Sequence, residues 1–261
     1  MPATYAHYRF GAQMLAKMPA DVCRTAKRHR RLFEVGLHGP DLFFYYKPMV
    51  STKIGRMGHK FHRQTGKEFF SRVCRNLRLE PSEEGTAYLY GALCHYTLDA
   101  QCHPLVEKLS WEGIATHTRL ETEFDRFLKE LDRGSRFADV SLTKHMALTD
   151  GECGVVSRFY PGTDAKQIRD ALKGMANIRK VLELPEGPVR TMVTKTMGLG
   201  SETFRDMVAG KEPDPVCQVW NQPLMERYQQ AAKALPDMVL QLGAHLTYNA
   251  PLGEDFAPIF G

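Results

Sequence analysis

Apolar residues return at three- and four-residue intervals along nearly the whole chain, and no segment of useful length alternates with a period of two. That pattern argues against a sheet and predicts an all-α protein. The spacing places helices at about 4–17, 21–33, 52–77, 82–103, 112–133, 164–184, 188–197 and 214–242. Pro19 closes the first, where His7, Phe10, Met14 and Met18 share a face. Ser82, followed by Glu83 and Glu84, has the composition of a helix start, and Pro104 and Gly134 mark the expected ends of the next two helices. Gly39-Pro40 and Pro48 punctuate a stretch from 36 to 53 that reads as an ordered loop with a turn or two of helix, and 135–162 reads as looser chain. With no internal repeat, low-complexity tract or linker, the 261 residues read as a single multi-helix domain, 1–261.

The net charge of +5 favours phosphate-bearing substrates or anionic surfaces, but is too small to argue for nucleic acid. Basic runs at Arg24–Arg31 and at Arg72, Arg75 and Arg78 read most simply as solvated helix faces. The six cysteines form no CxxC pair and read as reduced thiols filling the core. No run approaches a membrane span, and the first residues lack the pattern of a signal peptide. The expectation is a cytoplasmic protein, with peripheral membrane contact left open and no stable nucleic-acid partner.

Chemistry concentrates in the histidines. His95, Asp99 and His103 stand four residues apart, so on a helix they form one stripe that drifts by about 40° per step. Two imidazoles and a carboxylate on one face make a donor set suited to zinc. His117 and Glu121 repeat the four-residue spacing in the next helix, and Phe124, Leu128 and Leu131 continue their face toward the core. One such pair is usually an ordinary surface contact; two in succession, in register and on apolar faces, point to a metal site. Cys94 and Cys102 adjoin two of these histidines in sequence, so each points about 100° away on the helix.

Upstream lie His7 on the inner face of the first helix, Asp41 after Gly39-Pro40, and His59 and His62 three residues apart. Taken singly these read as a core histidine, a turn-capping acid and surface residues; they gain weight as completion of a site half built by residues 95–121.

The order His, Asp, His, His-x3-Asp, His, His-x3-Glu resembles that of the zinc-dependent phospholipases C and, more distantly, the zinc-dependent single-strand nucleases of fungi and plants. Here it is matched by His7, Asp41, His62, His95 with Asp99, His103, and His117 with Glu121. The resemblance covers about residues 1–130. It implies an all-α fold and two to three zinc ions: His95, Asp99 and His62 on one, His103, His117 and Glu121 on a second, and His7 helping to hold a third, with Asp99 bridging. Asp41 would activate the attacking water or also touch the metals. The glutamate of the last pair matches the phospholipase branch. Asp99 and His103 are four apart where the family usually has six, and Met1-Pro2 stands where secreted members present a tryptophan, leaving a Pro2 amine as a conceivable ligand. His62 is preferred to His59 because it precedes Phe69 and Val73 by seven and eleven residues.

The resemblance implies hydrolysis of a phosphate ester, a phospholipid first among candidates, with water activated by the metals and Asp41 as base. Phe43, Phe44, Tyr45 and Tyr46 could line an acyl or headgroup pocket or simply pack in the core. A nuclease or other small phosphoesterase on the same scaffold, and a non-catalytic metal- or lipid-binding protein, are the rival readings.

Overall fold

A computed structural model describes residues 4–261 apart from 49, 136, 138–139, 185–186, 197–201 and 211. The described residues form helices and no strand, so the chain is all-α. Thirteen α-helices are described: α1 Thr4–Leu15, α2 Ala20–Arg28, α3 Arg30–Gly36, α4 Gly55–His62, α5 Gly66–Leu79, α6 Glu83–Trp111, α7 His117–Leu131, α8 Asp150–Ser157, α9 Ala165–Leu182, α10 Pro188–Thr196, α11 Glu202–Asp206, α12 Pro215–Gln218 and α13 Asn221–Tyr248. Short 3-10 turns lie at Gly39–Tyr45, Lys144–Met146 and Glu254–Phe256.

The axis of the molecule is α6. Its start is fixed by Ser82, whose hydroxyl accepts the Gly85 N–H at 3.0 Å, with Glu83 and Glu84 at the positive end of the helix dipole. From Ala87 to Asp99 every residue is buried, so this stretch of the helix is enclosed on all sides and carries His95 and Asp99 into the interior. Helices α1, α2, α3, α5, α7, α8 and α13 pack around it. The crossing with α3 is close: a methyl group on Gly91 would lie 2.2 Å from the Phe33 carbonyl oxygen. That approach brings the turn after α3 down onto the middle of α6.

Several boundaries differ from the sequence reading, beginning with the expected helix over 21–33, which is α2 and α3 divided at His29. Helix α6 does not stop at His103 but runs through Pro104 to Trp111. Proline inside a helix costs about 3 kcal/mol, and burying Val106 and Leu109 beyond it contributes about 1.5–3 kcal/mol each, so packing wins. The expected helix over 52–77 is two, α4 and α5, broken where Thr65 and Glu68 form a reciprocal capping box. Likewise α7 begins at His117 instead of 112, because Gly113 turns left-handed (φ 72°) and Thr116 caps the new start. The looser stretch holds α8, started by a second capping box at Thr149 and Glu152, and the last expected helix divides into α12 and α13. Leu131, expected on the inner face, is more than half exposed at the end of α7.

All six cysteines are free, five of them buried, as the core-filling reading expects. No helix among the described residues is long and apolar enough to cross a membrane.

Candidate metal centre

Four segments converge on α6, which supplies three donors of its own. Helix α1 supplies His7, whose Nε2 lies 3.1 Å from Asp99 Oδ1. Asp125 holds α1 in place, accepting the backbone N–H groups of Tyr5 at 3.0 Å and Ala6 at 2.8 Å. These are among the amides that no helix satisfies internally. One turn on, Arg9 grips Asp132 through two hydrogen bonds, at 2.6 and 3.1 Å.

The turn Gly39–Tyr45 supplies Asp41. Gly39 has φ +47° and lies against His95; a methyl group there would meet the imidazole Cδ2 at 2.3 Å. A side chain would therefore separate the turn from the His95 ring. Asp41 Oδ1 comes within 3.0 Å of His62 Nε2.

Helix α4 supplies His62. Its Nδ1 lies 2.7 Å from the Gly58 carbonyl, which can only accept, so Nδ1 carries the proton and Nε2 keeps its lone pair for the cluster. A backbone carbonyl that takes the Nδ1 proton fixes the tautomer a histidine needs to bind metal through Nε2. His59 is exposed outside the cluster, with Phe44 over both rings at 4.8 and 5.3 Å. So His62 faces the centre, although the argument from a continuous helix through Phe69 does not apply: α4 and α5 are separate.

Helix α6 supplies His95, Asp99 and His103, and α7 supplies His117 and Glu121. Asp99 sits between three imidazoles, 3.1 Å from His7 and His95 and 3.4 Å from His103. Glu121 Oε1 lies 3.3 Å from His103 and 3.2 Å from His117. Seven of the eight residues are buried; the His117 side chain, 30% exposed, forms the open edge. A small cavity between α1, α6 and α7 is lined by His7, Asp99, His103 and Glu121 with Cys102 and Phe124. Three larger cavities, bordered by Tyr8 and Phe33, by Val73 and Phe159, and by Met146 and Leu172, touch none of the eight.

The donor atoms fall into three groups within coordination reach: His7 with His95 and Asp99; Asp41 with His62 and His95; His103 with His117 and Glu121. The third is the set anticipated from sequence. The first two divide differently, with His62 beside Asp41 and His95 shared, because the Gly39–Tyr45 turn lies over His95 while α1 reaches Asp99. The Pro2 amine lies outside the described residues.

Do these residues fit a metal? The Nε2 atoms of His62, His95, His103 and His117 and Asp99 Oδ2 are buried and make no hydrogen bond of good geometry, although imidazole and carboxylate atoms face one another at 3.0–3.4 Å. Both nitrogens of His95 are in that condition although the residue is fully buried. Buried polar atoms are rarely left so, and imidazoles with carboxylates are the donors zinc takes. The group fits. Burial opposes ionisation of Asp99, but His103, His95 and His7 overcome it and hold the carboxylate well below its usual range. Glu121 is held down against burial in the same way, with His117 and His103 among the causes. Burial also opposes charge on His103, and Asp99 and Glu121 outweigh it, raising its pKa to about 9. Cys94 and Cys102 are pushed up by burial, the opposite of what a thiolate ligand needs.

Of the aromatics near Asp41, Phe43 and Tyr45 are core residues, Phe43 packing on Phe61 and Tyr160; Phe44 alone borders the centre. Sequence reasoning missed Asp125, though it continues the four-residue register of His117 and Glu121.

Fold and cluster together define a helical protein built around a buried imidazole–carboxylate centre suited to divalent metal ions. The profile of the zinc dependent phospholipase C family matches residues 6–159, and the chain belongs to that family. The matched stretch contains all eight residues. No curated protein and no solved structure gives a match.

Proposed function

We propose that the protein is a zinc-dependent phosphodiester hydrolase of the phospholipase C type, with a phospholipid as its substrate and two to three zinc ions in the centre. The observation that carries this reading is the convergence of imidazole and carboxylate donors, nearly all of them buried, into three groups within coordination reach, two of which share His95. Family membership supports the phosphate-ester chemistry.

His7, Asp41, His62, His95, Asp99, His103, His117 and Glu121 would hold the metal. Zinc supplies neutralisation of phosphoryl charge and a water acidic enough to be a nucleophile near neutral pH. The chain's own residues do the rest. Asp41 accepts the proton of the attacking water, and His62, its tautomer set by Gly58, would present the Nε2 lone pair to a metal beside that carboxylate. Asp99 bridges the imidazoles of three positions and keeps their spacing. His117, at the open edge, marks where a diester enters, and Phe44 offers an apolar surface beside His59 and His62. The buried walls of α1, α6 and α7 keep bulk water from the remaining donors.

The test is zinc content by elemental analysis of the wild type and Asp99→Asn, paired with hydrolysis of a phosphatidylcholine analogue, a soluble phosphodiester and single-stranded DNA. We expect two to three zinc per chain, loss of at least one in the variant, and turnover of the lipid analogue. Folded wild-type protein that stays metal-free in zinc-containing buffer would refute the proposal. Zinc binding with cleavage of DNA alone would transfer it to the nuclease branch, and zinc binding without turnover of any of the three would leave a binding protein.

A further inference from the structure

We propose that residues 249–261, which lie outside the stretch matched by the family, form a wall of the metal centre and act as a positioning element for His62, His95 and His103. The inference rests on the reading of the cluster as a zinc site.

After α13, Asn249 adopts a left-handed conformation (φ 55°) and the chain doubles back. Gly253 donates to Gln241 at 3.1 Å, Lys67 pairs with Glu254 at 2.7 Å, and the Tyr96 hydroxyl lies 3.0 Å from the carbonyls of Asp255 and Pro258. These contacts deliver residues 258–261 antiparallel to the junction of α4 and α5. There Gly66 donates to the Pro258 carbonyl at 3.0 Å, Phe260 donates to Gln64 at 3.1 Å, and Gly261 donates to His62 at 3.2 Å.

Each contact bears on a residue of the centre. The His62 carbonyl ends α4, where helix carbonyls lack an internal partner, and the Gly261 N–H supplies one. The Phe260 ring is fully buried between Phe69 and Tyr96, both at 4.9 Å, and stands 6.3 Å from His95. The His7 ring lies 4.4 Å from His95 as well, so that imidazole is bounded by both. Gly261 lies against His103: a methyl group added there would fall 1.8 Å from Nδ1. One short stretch thus touches histidines from all three donor groups, through a backbone hydrogen bond at His62, a ring at His95 and a close approach at His103. Outer-shell contacts of this kind fix ligand orientation and govern solvent access.

A plain packing role is the rival explanation, and Phe256 separates the two. It too is fully buried and packs on Phe70 and Tyr96, at 5.6 and 6.1 Å, on the same aromatic cluster. The experiment compares full-length wild type, Phe256→Ala, Phe260→Ala, Phe260→Leu and Gly261→Ala, measuring Tm of the metal-free protein and zinc affinity by chelator competition. Both alanine substitutions for phenylalanine should lower Tm. Phe260→Ala should weaken zinc binding by about 10–100-fold, the range for outer-shell substitutions, while Phe256→Ala should not and Phe260→Leu should restore most of it. Gly261→Ala removes no core side chain, but its methyl at positive φ (+124°) would press on the His103 ring, so it should lower Tm by less than Phe260→Ala and weaken the zinc bound by His103, His117 and Glu121; it carries the test should Phe260→Ala fail to fold. Equal zinc affinity in Phe260→Ala and Phe256→Ala, with wild-type affinity in Gly261→Ala, would overturn this inference and leave the proposed function standing. A zinc-free wild type would remove the function and the inference together.

Discussion

Gly39→Ala is the substitution whose consequence follows most directly from the geometry. Two costs arise. The left-handed backbone (φ +47°) costs an alanine about 1–2 kcal/mol. The added methyl would also lie 2.3 Å from His95 Cδ2, 2.7 Å from Cγ and 2.8 Å from Nε2. Carbon atoms prefer about 3.5–4.0 Å, so the ring or the turn must retreat by more than about 1 Å. Overpacking of that kind costs about 1–3 kcal/mol, giving about 2–5 kcal/mol in all. Whichever part yields, the centre opens: a rotated His95 leaves two of the three donor groups, and a displaced turn withdraws Asp41. Gly113→Ala supplies the control, since Gly113 is also left-handed (φ +72°) but has nothing within 4 Å of the added methyl. Urea unfolding and zinc content measured on both variants separate backbone strain from the clash. We expect Gly113→Ala to lose about 1–2 kcal/mol with full zinc, and Gly39→Ala to lose more, with at least one zinc missing. Equal destabilisation and full metal in both would refute the placement of Asp41 against His95.

His38 and His145 form a buried pair behind the Gly39–Tyr45 turn, with Nε2 atoms 2.7 Å apart and rings stacked at 5.0 Å. Burial, with Arg30 nearby, pushes His145 from its ordinary 6.5 down to about 4. The unfolded chain binds that proton first, so the contribution is complete above pH 6.5 and is lost as pH falls toward about 4. A depression of that size corresponds to up to about 3 kcal/mol; urea unfolding between pH 7 and 4.5 should show it, and His145→Gln should flatten the slope. Asp125→Ala leaves two buried amides of α1 unpaired, at about 1–3 kcal/mol each. It should lower both stability and zinc content, and normal zinc content would separate α1 from the metal centre. Zinc at one hundred times its dissociation constant should raise unfolding free energy by about 2.7 kcal/mol, an increment that EDTA abolishes; a Tm indifferent to both would exclude a folded-state metal site.

Sequence alone determined the helical class, because the period of apolar residues is a local property. It also set the stripe of His95, Asp99 and His103, and the pair His117 and Glu121, because four residues return a helix to nearly the same face. Local chemistry also held signals that periodicity overrode: the Thr65–Glu68 box that breaks α4 from α5, and Asp125 one helical turn beyond Glu121. Tertiary structure alone decided the rest. Pro104 does not end α6 because burial of Val106 and Leu109 outweighs the proline. The division of donors into three groups depends on the close crossing of α3 over α6, which Gly36 and Gly91 permit and no spacing in the sequence encodes. His62 faces the centre through the packing of a separate short helix. Residues 258–261 reach that same centre across nearly two hundred positions of chain, a relation between distant segments that local periodicity does not carry.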